Sequence, residues 1–439
     1  MTTLFIECFI YYFYNNNNTP LDIMKHKFIF LISIISFHFG FCQIEKEIDP
    51  QYNIKTITLT QNGQNTIPTY RLNDTFQLEF DDLYGSEANY YYTFVHCDYD
   101  WKPSDLSRNE YLNGFDDIRI QDYTNSFNTL QLYSHYRISF PNKNTQFKVS
   151  GNYIIKILNE DRDVVFSRKF MLYENLASVP IQVRRTRGMN VLDTKQNLDF
   201  AVKSTVITFQ NPLKNVKIKI MQNGQYNNSI VNVPPQYTIG NDLIYKYENE
   251  TQFWAGNEFL NFDTKEIRSA ANSISYVTTQ GGLYNSHLYP SETRGNNPYT
   301  FFPDINGNYL VRNLNGVNNA VEADYSWVFF TLSAPSYFGK GDIYVNGLFN
   351  NYHILPENKM DYNAEKAVYE KAIMIKQGFV NYQYVIADKS GKIDAQNALD
   401  GNYFQTENNY TILVYYRENG QRYDRIIGKG DASSLDIIN

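Results

Sequence analysis

An all-β fold, built from two to three immunoglobulin-like or early-set antiparallel β-sandwich domains in tandem, is what this sequence predicts, and three observations carry the prediction. Aromatic residues make up 16% of the 439 residues, with 38 Tyr and 30 Phe, and rings together with β-branched side chains suit a pleated, half-buried surface. Short alternating segments recur with turn signals between them, the pattern of an antiparallel sandwich. In the first third of the chain beyond the leader, helical periodicity never persists past a turn or two.

The leader comes first. From Met24 the sequence MKHKFIFLISIISFHFGFCQ sets Lys25 and Lys27 before the apolar run Phe28–Phe37. That run is too short to span a bilayer, which takes about 20 residues, and it has the proportions of a signal-peptide core. Gly40 and Cys42 place small residues ahead of Gln43, so residues 24–42 are expected to leave by cleavage before Gln43. Phe41 is bulky where a lipid-modified signal wants a small residue, which argues against a lipid on Cys42. Residues 1–23 read as an upstream extension from a misassigned start. No second apolar stretch of membrane length follows, and the mature chain is expected to be soluble in an extracytoplasmic space without inserting into the membrane.

Charge excludes some partners. Only 19% of residues are charged and the net charge is −7, so nothing draws the chain to nucleic acid or anionic lipid. Of three cysteines, Cys8 and Cys42 fall in the leader. Cys97 alone remains, cannot form an internal disulfide, and is expected to pack as a small hydrophobe.

Taken in order, the segments divide into three. The first domain, residues 43–174, holds the strand-like ITLT (Ile57–Thr60), FQLEF (Phe76–Phe80), YYYTFVHCDYDW (Tyr90–Trp101) and YIIKIL (Tyr153–Leu158). Asn62-Gly63, Tyr84-Gly85 and Ser150-Gly151-Asn152 supply turns between them. The second, residues 175–324, opens with IQVRRTR, LDFAVKS and VKIKIMQ and then runs into a long loop, 281–315, rich in Gly, Asn, Pro and rings. A loop of that length in a compact domain is commonly functional. The third, residues 325–439, returns to strands: WVFFTL, DIYVNGLF, VYEKAIMI, FVNYQYVIA and YTILVYYRE.

Chemistry is sparse. Beyond the leader the histidines are His96, His135, His287 and His353. His96 and Asp98 alternate onto one strand face and Asp100 could follow, but no fourth ligand stands at a telling spacing; a polar strand face with a hydrogen-bonded imidazole is the expectation. Asp81-Asp82 and Asp116-Asp117 are neighbours that point to opposite strand faces, poor geometry for a general acid and base. Phosphate loops, nucleophile elbows and dinucleotide fingerprints are absent from the sequence. Arg184, Arg185 and Arg187 read as a solvated edge strand. No catalytic residue, metal or cofactor is expected.

Two resemblances follow from longer motifs. Gly347–Tyr352, Met360, Tyr369 and Gly378–Tyr384 resemble carbohydrate-binding modules beside starch- and glycogen-processing enzymes, early-set sandwiches with Trp where this chain has Tyr352. That resemblance implies an alternative function, an exported carbohydrate-binding or adhesive protein.

The wider resemblance runs through HCDYDWKPSDL (His96–Leu106), EYLNGF (Glu110–Phe115), DYTNSFNT (Asp122–Thr129), YSHYRISFPN (Tyr133–Asn142) and SGNYIIKI (Ser150–Ile157). It continues through FDTKEIRS (Phe262–Ser269), the segment Gln280–Asn313, EADYSWVFF (Glu322–Phe330), the segment Gly347–Tyr384, TENNYTILVYYR (Thr406–Arg417) and RYDRIIG (Arg422–Gly428). In this order they resemble the plug protein family of the type IX secretion system. The resemblance implies a non-catalytic periplasmic protein that reversibly closes the inner mouth of a wide outer-membrane β-barrel, the secretion translocon. A cap calls for rigid sandwiches and a contact surface of rings and polar loops that can release. The expected surface is Gly281–Asn315, with Tyr284, Tyr289, Tyr299, Phe301 and Phe302 as anchors; the competing expectation is that these rings pack the second domain's own core.

Overall fold

The strand Phe76–Asp82 shows how local pattern becomes structure: Phe76, Leu78 and Phe80 are buried while Gln77 and Glu79 are half-buried, the period of two that a strand with one inward face requires. In the computed structural model, residues 44–65, 67–271 and 273–437 are described. The expected upstream extension (1–23), the signal peptide (24–42) and its cleavage before Gln43 lie outside the described residues.

The described residues build three β-sandwiches, so the fold is all-β. In the first, Ile54–Gln61, Phe76–Asp82 and Ser134–Phe140 lie side by side in one sheet, and Tyr91–Cys97, Gly151–Leu158 and Val164–Tyr173 in the other. Rings fill the space between. Phe80 meets Phe166 edge-on at 5.1 Å across the two sheets, and Phe94 meets Phe140 at 5.0 Å, each pair adding roughly 0.5–1.5 kcal/mol beyond the area it buries.

The second sandwich sets Ile181–Arg185, Lys195–Val202 and Asp242–Tyr245 against Val216–Gln222, Asn409–Tyr416 and Arg425–Ser433. Leu198, Phe200, Ile218, Ile412 and Val414 share its core. The third sets Leu260–Asp263, Asp342–Asn346 and Gly378–Ala387 against Ile274–Gln280, Leu283–Leu288, Tyr325–Ser333 and Val368–Lys376, over a core that includes Phe262, Phe330, Val380 and Tyr382. No helix among the described residues is long and apolar enough to cross a membrane.

The pairing departs from the expected tandem segments 175–324 and 325–439. Strands on both sides of residue 324 share sheets and one core, which runs from Phe262 to Leu399. The chain then returns, and Asn409–Tyr416 pairs with Val216–Gln222 from Val216↔Tyr416 to Gln222↔Tyr410. The third sandwich is therefore inserted into the second. Strand period reports which face is apolar, but the hydrogen-bonded partner is chosen by long-range fit, which local pattern does not carry.

Candidate functional site

The segment His96–Trp101, rich in polar and aromatic side chains, is a seam between sandwiches. The strand ends at Cys97, and Trp101, at φ +64°, turns the chain back. His96 is buried with its Nδ1 2.7 Å from the Ser104 hydroxyl and its Nε2 3.3 Å from the Ser150 carbonyl. Burial pushes its pKa down to about 4, so the ring is a neutral structural imidazole. Gly151 sits against it at φ +144°, and any Cβ there would collide with the ring. Asp98 faces the second sandwich instead, 2.7 Å from Arg417, and Asp100 pairs with Lys102. The three side chains do not converge on a common point, and among the described residues no group of three or more His, Cys, Asp or Glu is placed to hold a metal.

Around that segment the first and second sandwiches lock together. Tyr99 donates its hydroxyl to the Ile218 carbonyl at 2.8 Å, its amide donates to Asp424 at 3.0 Å, and Asp424 also takes Arg417 at 2.9 Å. Tyr415 donates to Asn152 at 2.7 Å and Arg425 to Glu174 at 2.7 Å. Cys97, Ile154, Met171, Met221, Leu413 and Ile426 pack between these polar contacts. Cys97 is fully buried, with its thiol pushed up to about 12 by burial. Lys219 is enclosed here by the rings of Trp101, Tyr99 and Tyr226 at 5.2–5.8 Å, and burial pulls its ammonium down to about 7.

A second seam joins the first and third sandwiches. Lys376 Nζ lies 2.6 Å from Asp81 Oδ2 and 2.6 Å from the Ala320 carbonyl. Tyr325 donates to the same Asp81 oxygen at 2.6 Å, and His135 Nδ1 is 2.7 Å from the other. Burial alone would raise the Asp81 carboxyl, but Lys376 and His135 outweigh it and hold it below its usual range. Asp324 adds hydrogen bonds from the amides of Leu130 at 2.6 Å and Gln131 at 3.0 Å. Nothing in the sequence marked Asp81, Lys376 or Asp324 as partners.

The five expected anchors separate. Tyr289, Phe301 and Phe302 are exposed, at 57%, 49% and 54%. Tyr284 is half-buried on Leu283–Leu288, with its hydroxyl 3.2 Å from Arg268. Tyr299 is also half-buried: it donates to the buried Glu258, whose carboxyl burial raises, and its ring packs 5.7 Å from Tyr403. None of the five belongs to a core cluster. A further exposed apolar set borders the second seam: Tyr84, Phe127, Leu130 and Leu132 from the first sandwich, with Leu314 and Val317 from the third. Sequence pattern missed it because the two sets meet only through the seam, where the Phe127 amide donates to the Val321 carbonyl at 2.9 Å.

Two other sites resolve as structure. Tyr352, which stands where the carbohydrate-binding modules have Trp, is buried with its hydroxyl on the Gly307 carbonyl at 2.7 Å. Arg184 is paired with Asp199 at 3.0 Å and Glu248 at 2.9 Å, and Arg185 with Asp193, which neutralises the basic cluster. A cavity of about 60 Å³ lies where the three sandwiches meet, lined by residues that include Glu47, Arg168, Lys169, Tyr226, Tyr352 and His353, room for a few water molecules.

Comparison with known proteins adds the context. A family model described as Type 9 secretion system plug protein 1st domain matches residues 54–174. Among solved structures, the crystal structure of a hypothetical protein from Parabacteroides merdae ATCC 43184 is similar at a TM-score of 0.84 and 31% identity, over 88% of this chain and 98% of that chain. No curated protein matches.

Proposed function

We propose, for a chain that belongs to the type 9 secretion system plug protein family, that it is a non-catalytic cap which reversibly seals the periplasmic opening of the outer-membrane translocon. The family ties the chain to type IX secretion; the sealing step is our reading. The observation that carries it is the pair of seams. Three sandwiches are fastened by a buried ion pair, Asp81–Lys376, and by the Tyr99–Asp424–Arg417 network. Rigidity of that kind is what closing a pore asks of a protein: sandwiches that could swing apart would leave gaps.

A releasable cap also needs a contact surface whose removal leaves the fold alone. The exposed Tyr289, Phe301 and Phe302 meet that condition, while Tyr299 is tied to Glu258 and belongs to the fold. Replacing Phe301 and Phe302 with Ala should shift unfolding free energy by no more than about 0.5 kcal/mol each and weaken capture of the translocon. The test is co-purification: a tagged mature chain, expressed in cells that assemble the translocon, should bring down the barrel from solubilised outer membranes. Recovery of the tagged chain with no barrel component would refute the cap. The carbohydrate alternative loses its main support with Tyr352 buried, and a blank glycan array would close it.

A further inference from the structure

The strand Ile274–Gln280 forms an outer edge of the third sandwich and, among the described residues, pairs on one side only, with Leu283–Leu288. Beyond residue 274 its backbone makes no hydrogen bond to any other described segment. Tyr276, Thr278, Thr279 and Gln280 are exposed. An open edge is a row of unpaired donors and acceptors, and proteins usually guard one with charge, proline or shortness.

Other edge strands in the described residues are guarded in that way. Arg425–Ser433 is long but carries Arg425, Lys429 and Asp431. Ile181–Arg185 ends in two arginines and Asp342–Asn346 begins with aspartate; Asp361–Asn363, at the far side of the same sheet, is three residues long. Ile274–Gln280 reads ISYVTTQ, seven residues with neither charge nor proline. Its hairpin turns on Gly281 and Gly282 at φ +64° and +79°, with no atom within 4 Å of where a Cβ would stand. Among the described residues nothing pairs with this edge along residues 275–280.

A second observation lies on the outer face. Tyr276, His287 and Phe329 form a ladder of parallel rings across three strands, 4.2 Å apart at 13° and 4.3 Å apart at 15°. The ladder stops at the edge, where Tyr276 is 52% exposed. His287 has a ring on each side, whereas among the described residues Tyr276 has one on its inner side alone. An added strand would supply the missing neighbour, since directly opposed side chains on adjacent strands sit about 5 Å apart.

We propose that this edge is a strand-addition site: it binds an extended, uncharged segment of a translocon subunit, which pairs its backbone with residues 275–280 and sets a ring or β-branched side chain beside Tyr276. Main-chain hydrogen bonds supply the affinity and the side chain next to Tyr276 the selectivity, as in other cases of β-augmentation. The neighbouring tyrosines fall into place on this view. Tyr284 is the cross-strand partner of Thr279, and the Tyr289 amide holds the base of the hairpin through the Ser273 carbonyl at 2.9 Å. The proposal rests on the cap reading for the identity of the partner, but not for the nature of the surface.

The experiment uses the full mature chain in cells that assemble the translocon. A photo-crosslinking amino acid replaces Thr278, and in a control it replaces Tyr362 on the opposite edge of the sheet. A translocon subunit should crosslink from position 278 and not from 362. In parallel, Thr278→Lys and Tyr276→Lys place a charge on exposed edge positions; each should melt like wild type and lower barrel capture by about tenfold or more. Wild-type-level capture by both lysine variants, or a crosslink only to a second copy of this chain, overturns the edge while the cap stands. If wild type itself captures no barrel component, cap and edge fall together.

Discussion

Lys376 and Asp81 are 295 positions apart in the chain and 2.6 Å apart in space, with side chains 2% and 0% exposed. Burying two charges costs several kcal/mol each, and the pair is tolerable only because further hydrogen bonds finish it. Here Tyr325, His135 and the Ala320 carbonyl do so. Lys376→Met should therefore destabilise by roughly 3–5 kcal/mol, because Asp81 is left buried without its cation. Adding Asp81→Leu should return part of that loss, and denaturant unfolding of the isolated protein measures both. Lys219 is the opposite case, a buried ammonium with rings around it and a pKa near 7 rather than 10.5. Below about pH 7 the folded state carries the whole cost of that buried charge, and the cost fades as pH rises toward 10.5. Lys219→Met should raise the melting temperature at pH 6, and the gain should shrink steadily up to pH 10; a gain that does not change with pH would contradict this account.

At the scale of elements, the strap Glu45–Asp49 does the work of a clip. The Ile48 amide donates to Ser167 at 2.7 Å and the Lys169 amide to Glu47 at 2.7 Å, while His353 of the third sandwich meets Glu47 at 3.4 Å and also Asp49. Burial alone would lower the His353 pKa, but Asp49 and Glu47 outweigh it and push it from 6.5 up to about 9. A raised folded pKa stabilises fully below the unfolded value and stops doing so as pH climbs through the folded one. The clip is thus at full strength below about pH 6.5 and fades through about pH 9. The melting-temperature gap between wild type and His353→Asn should narrow over that window. Elements also show what the sequence could disclose. Phe76–Phe80 is legible because a period of two has one structural solution, and Tyr153–Leu158 because its β-branched run suits a strand with both faces buried. Tyr90–Trp101 reads as one strand, yet pairing stops at Cys97, since Asp98, Tyr99 and Trp101 are claimed by the second sandwich. The return of Asn409–Tyr416 to Val216–Gln222 leaves no local trace. Likewise, the segment 281–315, expected as a loop, is legible as ring-rich, but it contains the strands Leu283–Leu288 and Tyr309–Val311, and only the fold separates the exposed Phe301 and Phe302 from Tyr299, whose hydroxyl Glu258 holds.

For the whole molecule, motifs that carried the family resemblance fall at seams. HCDYDW (His96–Trp101) and RYDRIIG (Arg422–Gly428) face one another through Tyr99–Asp424, and EADYSWVFF (Glu322–Phe330) contributes Asp324 and Tyr325 to the junction with Asp81. Residues of this kind hold three sandwiches in one arrangement, which agrees with a cap. The account's central claim is that this arrangement closes a pore. The direct measurement is entry of a large antibiotic or dye across the outer membrane in cells that assemble the translocon, with and without this protein, and again with the translocon gene removed. Deletion should make the membrane leaky, return of the protein should restore the barrier, and loss of the translocon should abolish the leak. A barrier that stays at the wild-type level after deletion, with the translocon assembled and empty, would contradict it.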